Sequence, residues 1–146
     1  MQDCSASNRE QVIDTMIALT RLSNLHRAVV AGSDCMELYL ALRRRGFARV
    51  STPQTCRPSK GQHAVALVTA RQSPAAIVAA LLEVSPLLAA NATIAVLIDS
   101  RDGDDSLKVR RKLQQMGFRI EAGVRCHRGF VLSAHREGFV QMENAA

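Results

Sequence analysis

Short apolar runs alternating with helical stretches constrain this chain more than any other feature. Arg27-Ala-Val-Val-Ala-Gly-Ser33 is brief, apolar and ends in glycine, as a buried parallel strand does. Phe47–Ser51, His63–Thr69 and Thr93–Ile98 read as three further strands. Between them lie segments with helical signals. Val12, Ile13, Met16, Ile17 and Leu25 make a stripe on one side of an opening helix, and Ser7 and Glu10 have capping-box spacing. Asp34 stands where it caps a helix over Cys35–Arg45, with Met36, Tyr39 and Leu40 facing inward and Gly46 ending it. Pro74 opens a helix running to about Leu88, apolar nearly all round and so expected to be deeply covered. Asp104 and Asp105 precede a helix that ends in Arg110, Arg111 and Lys112 and stops at Gly117. Phe118–Arg125 and Gly129–His135 read as an antiparallel pair.

Strands that alternate with helices require crossover connections and a parallel core sheet. The expected fold is therefore α/β: a three-layer, Rossmann-like, mostly parallel sheet with a C-terminal antiparallel hairpin. It forms one domain over residues 1–146, with about 1–8 and 138–146 loosely ordered and 52–62 as a loop. Ligands of such sheets bind beyond the carboxyl ends of the strands. That directs attention to Gly32–Met36, Ser51–Pro53, Thr69–Ser73 and Asp99–Asp105.

Composition narrows the function classes. No run approaches the roughly 20 apolar residues of a membrane span, and the start of the chain lacks a basic-then-apolar leader pattern. A cytoplasmic protein without membrane partners is expected. The four cysteines, at 4, 35, 56 and 126, include no Cys-x-x-Cys pair and no histidine at zinc-finger spacing, so free thiols and no metal are expected. Nineteen basic residues against 13 acidic give a net +6, which attracts phosphate-rich partners. With five aromatics and no Trp there is little for base stacking, so any nucleic-acid binding is expected to be weak, non-specific and salt-sensitive. Arg43, Arg44 and Arg45 read as a solvated helix end. Arg101, Asp102 and Asp104 read as a turn and cap, and His127 as an exposed hairpin residue.

Three stretches resemble the class I S-adenosylmethionine-dependent methyltransferases. Ala28 to Phe47 is similar to the family's first strand, cofactor loop and helix. The apolar helix leading into Thr93-Ile-Ala-Val-Leu-Ile98 is similar to a later unit. Leu113-Gln-Gln-Met-Gly-Phe-Arg-Ile120 with Arg128–Arg136 is similar to the closing antiparallel pair. The family usually has one more strand in the region where this chain has its 52–62 loop. The resemblance implies cofactor-binding positions at Gly32, Ser33, Asp34, Ser51, Thr52 and Thr69. At those positions the family's motif is eroded. Val30 stands where an acid is expected, Asp34 and Met36 replace two loop glycines, and Ser51 or Thr52 replaces the ribose-binding acid. Thr69-Ala-Arg-Gln72 lacks the motif of base-amino methylation. The first reading is thus a non-catalytic, methyltransferase-like binding or regulatory module with no cofactor, working with a protein partner or a second copy of itself. The alternatives are an active S-adenosylmethionine-dependent methyltransferase with an atypical loop, and a basic nucleic-acid-associated protein.

Overall fold

The computed structural model describes residues 3–33, 35–53, 61–71, 74–99, 103–126 and 129–136. Helix α1 (Asp3–Thr20) leads into strand β1 (Ala28–Gly32), helix α2 (Cys35–Arg44) and the short strand β2 (Val50–Ser51). Strand β3 (His63–Arg71), helix α3 (Pro74–Val84), a 3-10 turn (Ser85–Leu87) and strand β4 (Leu88–Asp99) follow. Helix α4 (Gly103–Gln115) and strands β5 (Phe118–Arg125) and β6 (Phe130–Arg136) complete the order. The six strands form one sheet in the order β2-β1-β3-β4-β6-β5. Strands β2, β1, β3 and β4 are parallel, and β6 runs antiparallel to both of its neighbours.

Period-two alternation divides the strand side chains between two apolar layers. Val30, Leu67 and Val131 pack with Val12 and Met16 of α1 and Leu38 and Leu42 of α2. Val29, Val68, Val96 and Leu132 pack with Ile77 and Leu81 of α3 and Val109 and Leu113 of α4. The central strands are covered on both faces, which is why their sequences are continuously apolar rather than alternating. The expected three-layer α/β fold with its antiparallel closing pair is therefore present.

Several boundaries differ from expectation, each for a local reason. Helix α1 begins at Asp3, so Ser7 and Glu10 lie within the helix rather than at its start. Leu25 lies past its end and is 79% exposed. The buried side of α2 is Leu38 and Leu42, one turn apart, whereas Met36 and Leu40 face outward at 57% and 46% exposure. Strand β2 keeps only Val50 and Ser51, because the Phe47 amide is used to close α2 by bonding the Leu42 carbonyl at 3.1 Å. Helix α3 stops at Val84 rather than about Leu88. Pro86 disfavours helical geometry at the residue before it, and the chain turns tightly there and enters a longer β4. The outer side of α3, with Ala75, Ala76, Ala79 and Leu82, is exposed rather than covered. Helix α4 starts at Gly103, which puts Asp104 and Asp105 in its first turn. Asp34, Arg101, Asp102, His127 and the segment past Arg136 lie outside the described residues, as does Cys56.

The Arg43–Arg45 helix end is not simply solvated. Arg45 is paired with both Glu10 and Asp14, and Arg9 lies 3.5 Å from Glu37, so charges tie α1 to α2. Burial pulls the Arg45 pKa down, but its bonds to Asp14 and Glu10 outweigh that and hold it above the ordinary arginine value. Both partner carboxylates are mostly exposed, so water and salt screen the attraction. Arg45→Ala is expected to cost about 1 kcal/mol or less. Chemical denaturation should show that loss shrinking further as salt rises.

Candidate functional site: the crevice between β1 and β3

From β1 the chain crosses through α2 to β2 on one side; from β3 it crosses through α3 to β4 on the other. The carboxyl ends of β1 and β3 therefore flank the point where strand order reverses, which is where open α/β sheets hold ligands. Gly32 and Thr69 are register partners there. Gly32 has φ +111°, and a Cβ on it would lie 1.5 Å from the Thr69 carbonyl oxygen. The Ser33 amide donates to that same carbonyl at 3.0 Å. Only glycine lets the two backbones meet so closely, and the chain turns directly from this contact into α2.

Thr69 is the most informative side chain of the crevice. By alternation it shares a face with Val65 and Leu67, the α1 and α2 side, and it lies in register between Gly32 and Leu97. Its residue exposure is 7%, yet its hydroxyl Oγ1 has no hydrogen-bond partner. A buried hydroxyl left unsatisfied costs about 1–3 kcal/mol, so native structures rarely keep one without a reason.

The structure separates the other positions implied by the sequence. Ser51 pairs with Val29, three residues before Gly32, and its Oγ lies 3.4 Å from His63 Nε2. His63 is buried, and its Nδ1 lies 3.1 Å from the Leu87 carbonyl oxygen. Ser51 is thus drawn toward the amino end of β3 and away from Gly32 and Thr69. Thr52 is buried at the end of β2, with 4% exposure. Val30 is wholly buried in the α1 and α2 layer, so a carboxylate at that position would face the core. Nothing in the sequence marked the Ser51–His63–Leu87 bridge, because it joins residues from three separate elements. Cys126 is buried with Sγ 3.9 Å from Thr15 Oγ1, and Cys35 is half-buried at the first position of α2. No three metal-ligating side chains come together among the described residues.

A crevice at the strand reversal, a glycine-closed turn into the next helix and an antiparallel closing pair define the class I S-adenosylmethionine-dependent methyltransferase fold. The chain matches no family model, and no curated protein matches it. Solved structures share the fold at low identity. A magnesium protoporphyrin IX methyltransferase from Synechocystis is similar with TM-score 0.59 and 13% identity, covering 90% of this chain and 81% of that one. A precorrin-6y methyltransferase from Geobacter metallireducens has TM-score 0.58 and 12% identity, covering 87% and 88%. An S-adenosylmethionine-dependent O-methyltransferase from Thermotoga maritima has TM-score 0.59 and 12% identity, covering 86% of this chain. This chain spans 64% of the Thermotoga protein's length.

These matches correct the expectation that no cofactor is involved, since the Synechocystis structure carries bound S-adenosylmethionine. The physical reason lies in what forms the crevice. The acids and two of the glycines of the family's loop are absent, whereas the crevice is made by strand order and by the Gly32 turn, both of which are present. The residues present fit a ligand there, because the Thr69 hydroxyl is buried, polar and unpaired beside that turn.

Proposed function

We propose that this chain is a methyltransferase-fold module that binds S-adenosylmethionine in the crevice between β1 and β3. The observation that carries this reading is the buried, unpartnered Thr69 hydroxyl beside the Gly32 turn. Gly32 lets the chain turn without a side chain in the way, and the α2 amino terminus turns the positive end of its helix dipole toward a polar ligand end. The Thr69 hydroxyl supplies a hydrogen bond to the ligand. Thr52, at the end of β2, is the neutral counterpart of an acid that would grip a ribose; Ser51 stays with His63. S-adenosylmethionine, when bound, supplies a methyl group on a positively charged sulfur. This chain's residues bind and orient it, and with Val30 in place of an acid the module serves binding or regulation rather than turnover.

Calorimetry with S-adenosylmethionine and with its demethylated product tests this, using Thr69→Val as the probe. Valine keeps the shape and removes the hydroxyl. The variant is expected to bind about threefold to tenfold more weakly, the worth of one hydrogen bond. Its melting temperature without ligand should be unchanged or higher, because an unsatisfied buried group has gone. Equal affinity in the two proteins, or no binding by the parent chain at millimolar ligand, would rule the reading out. Transfer of a labelled methyl group from the cofactor to another molecule would replace the module with an enzyme.

A further inference from the structure

The sheet has two edges of very different character. Strand β2 offers two residues, whereas β5 offers eight. Along β5, Phe118 and Ile120 pack into the α3 and α4 layer. The register shift between Ile120 and Ala122 makes Glu121 an extra residue in the ladder. Past it, Gly123 is paired with Leu132 and Arg125 with Phe130, so Glu121, Gly123 and Arg125 share the α3 and α4 face. The space where a Gly123 Cβ would project is filled by the Phe130 ring, whose Cζ would lie 2.2 Å from it. Glu121, Gly123, Val124 and Arg125 are all exposed. Among the described residues neither Glu121 nor Arg125 has an ion-pair partner, whereas Arg119 is already engaged within the chain.

Glu121-Ala-Gly-Val-Arg125 is therefore electrically self-complementary about its central glycine. We infer that the outer half of β5 pairs antiparallel with β5 of a second copy of this chain, about a two-fold axis through Gly123. In that register Glu121 of each copy stands opposite Arg125 of the other, and Ala122 stands opposite Val124. A two-fold interface must be self-complementary, and a strand read about its own centre meets that condition only when unlike charges sit at equal distances. The registers about Ala122, Glu121 and Arg125 do not meet it. Centring on Ala122 sets Arg119 against Arg125, and centring on Glu121 or Arg125 sets a charge against its own copy. Like charges directly opposite each other destabilise a strand pair, so charge disfavours those three registers. Centring on Val124 sets Gly123 against Arg125 and gains no ion pair. Centring on Ile120 would pair Glu121 with Arg119, which is already engaged, across the register shift. The two sheets then join into one, and the outward backbone groups of Glu121–Arg125 in both copies gain partners.

Sedimentation across a range of protein concentration at low salt tests the pairing, with Glu121→Arg, Arg125→Glu and the double exchange as probes. All three change exposed residues, and circular dichroism and melting temperature report whether each variant is folded. The parent chain is expected to dimerise reversibly, and more weakly as salt rises. Each single reversal turns two attractive pairs into two repulsive ones and is expected to weaken the dimer on the order of tenfold. The double exchange is expected to recover most of the loss. A chain that stays monomeric to millimolar concentration would overturn the inference, as would a double exchange no better than the single variants. A foreign strand on this edge would appear as the first of those outcomes.

Discussion

Gly32→Ala is expected to lower the melting temperature by more than about 10 °C, measured without ligand. Two costs combine. The residue has φ +111°, a conformation that costs a side chain about 1–3 kcal/mol. In addition the new methyl would fall 1.5 Å from the Thr69 carbonyl oxygen and 2.5 Å from its carbon. Both atoms are backbone of a central strand, so neither can rotate aside. The only relief is for β1 to draw away from β3, which breaks the Ser33 to Thr69 hydrogen bond and opens both apolar layers at their upper edge. A total near 4 kcal/mol is a large share of the roughly 5–15 kcal/mol that holds a domain together. An alanine variant melting within two or three degrees of the parent would show that the contact between the strands is looser than described.

Arg136→Met is expected to cost about 2–4 kcal/mol in chemical denaturation. The Arg136 guanidinium is half-buried at the end of β6 and has no carboxylate partner among the described residues. One terminal nitrogen donates to the Leu88 carbonyl at 3.1 Å, and the other donates to the Ser85 carbonyl at 3.2 Å and Ser85 Oγ at 2.7 Å. Its central carbon lies 5.0 Å from the centre of the Phe118 ring. Burial holds its pKa below the ordinary arginine value. Folding thus pays to desolvate the charge and is repaid through hydrogen bonds to the turn that Pro86 forces at the end of α3. Methionine fills the stem volume but leaves those oxygens without a donor. Arg136→Lys should recover only part of the loss, since a single ammonium cannot span Ser85 and Leu88 together. Hydrogen exchange should localise the effect to residues 85–89. A methionine variant within 0.5 kcal/mol, roughly the size of a neutral surface change, would mean that water satisfies the turn just as well.

The helices and strands were legible where a pattern is local. The apolar runs of β1, β3 and β4 and the antiparallel closing pair follow from burial on two faces and from a short connection. Boundaries went astray where one backbone group serves two elements. The Phe47 amide closes α2 and is lost to β2, and Pro86 divides what reads as one helix. The inward side of α2 was misplaced because Met36 and Leu40 are as apolar as Leu38 and Leu42. Only the position of the sheet decides between those two stripes. For the crevice, glycine at 32 and threonine at 69 were visible through the family pattern. Their pairing, and the lack of a partner for the Thr69 hydroxyl, depend on register between strands 37 residues apart, which no local signal carries. The contact of Ser51 with His63 was hidden for the same reason, since His63 arrives from another strand.

The position of β6 has a consequence for how the chain reaches this structure. Strand β6 is the last of the six to be synthesised, yet it lies between β4 and β5 rather than at an edge. While the ribosome is still short of Phe130, β4 has an open side, and Ile94, Val96 and Ile98 have no β6 side chains beside them. Strand β5 has then been made but has no neighbour to join. The sheet closes in a single late event, when one strand zips both of its sides at once. Non-local closure of this kind is slow compared with helix formation, and an open apolar edge invites pairing with other chains until it happens. Chain release before β6 emerges would therefore yield a species whose hazard is aggregation, even though α1 to α4 and β1 to β5 had already been made.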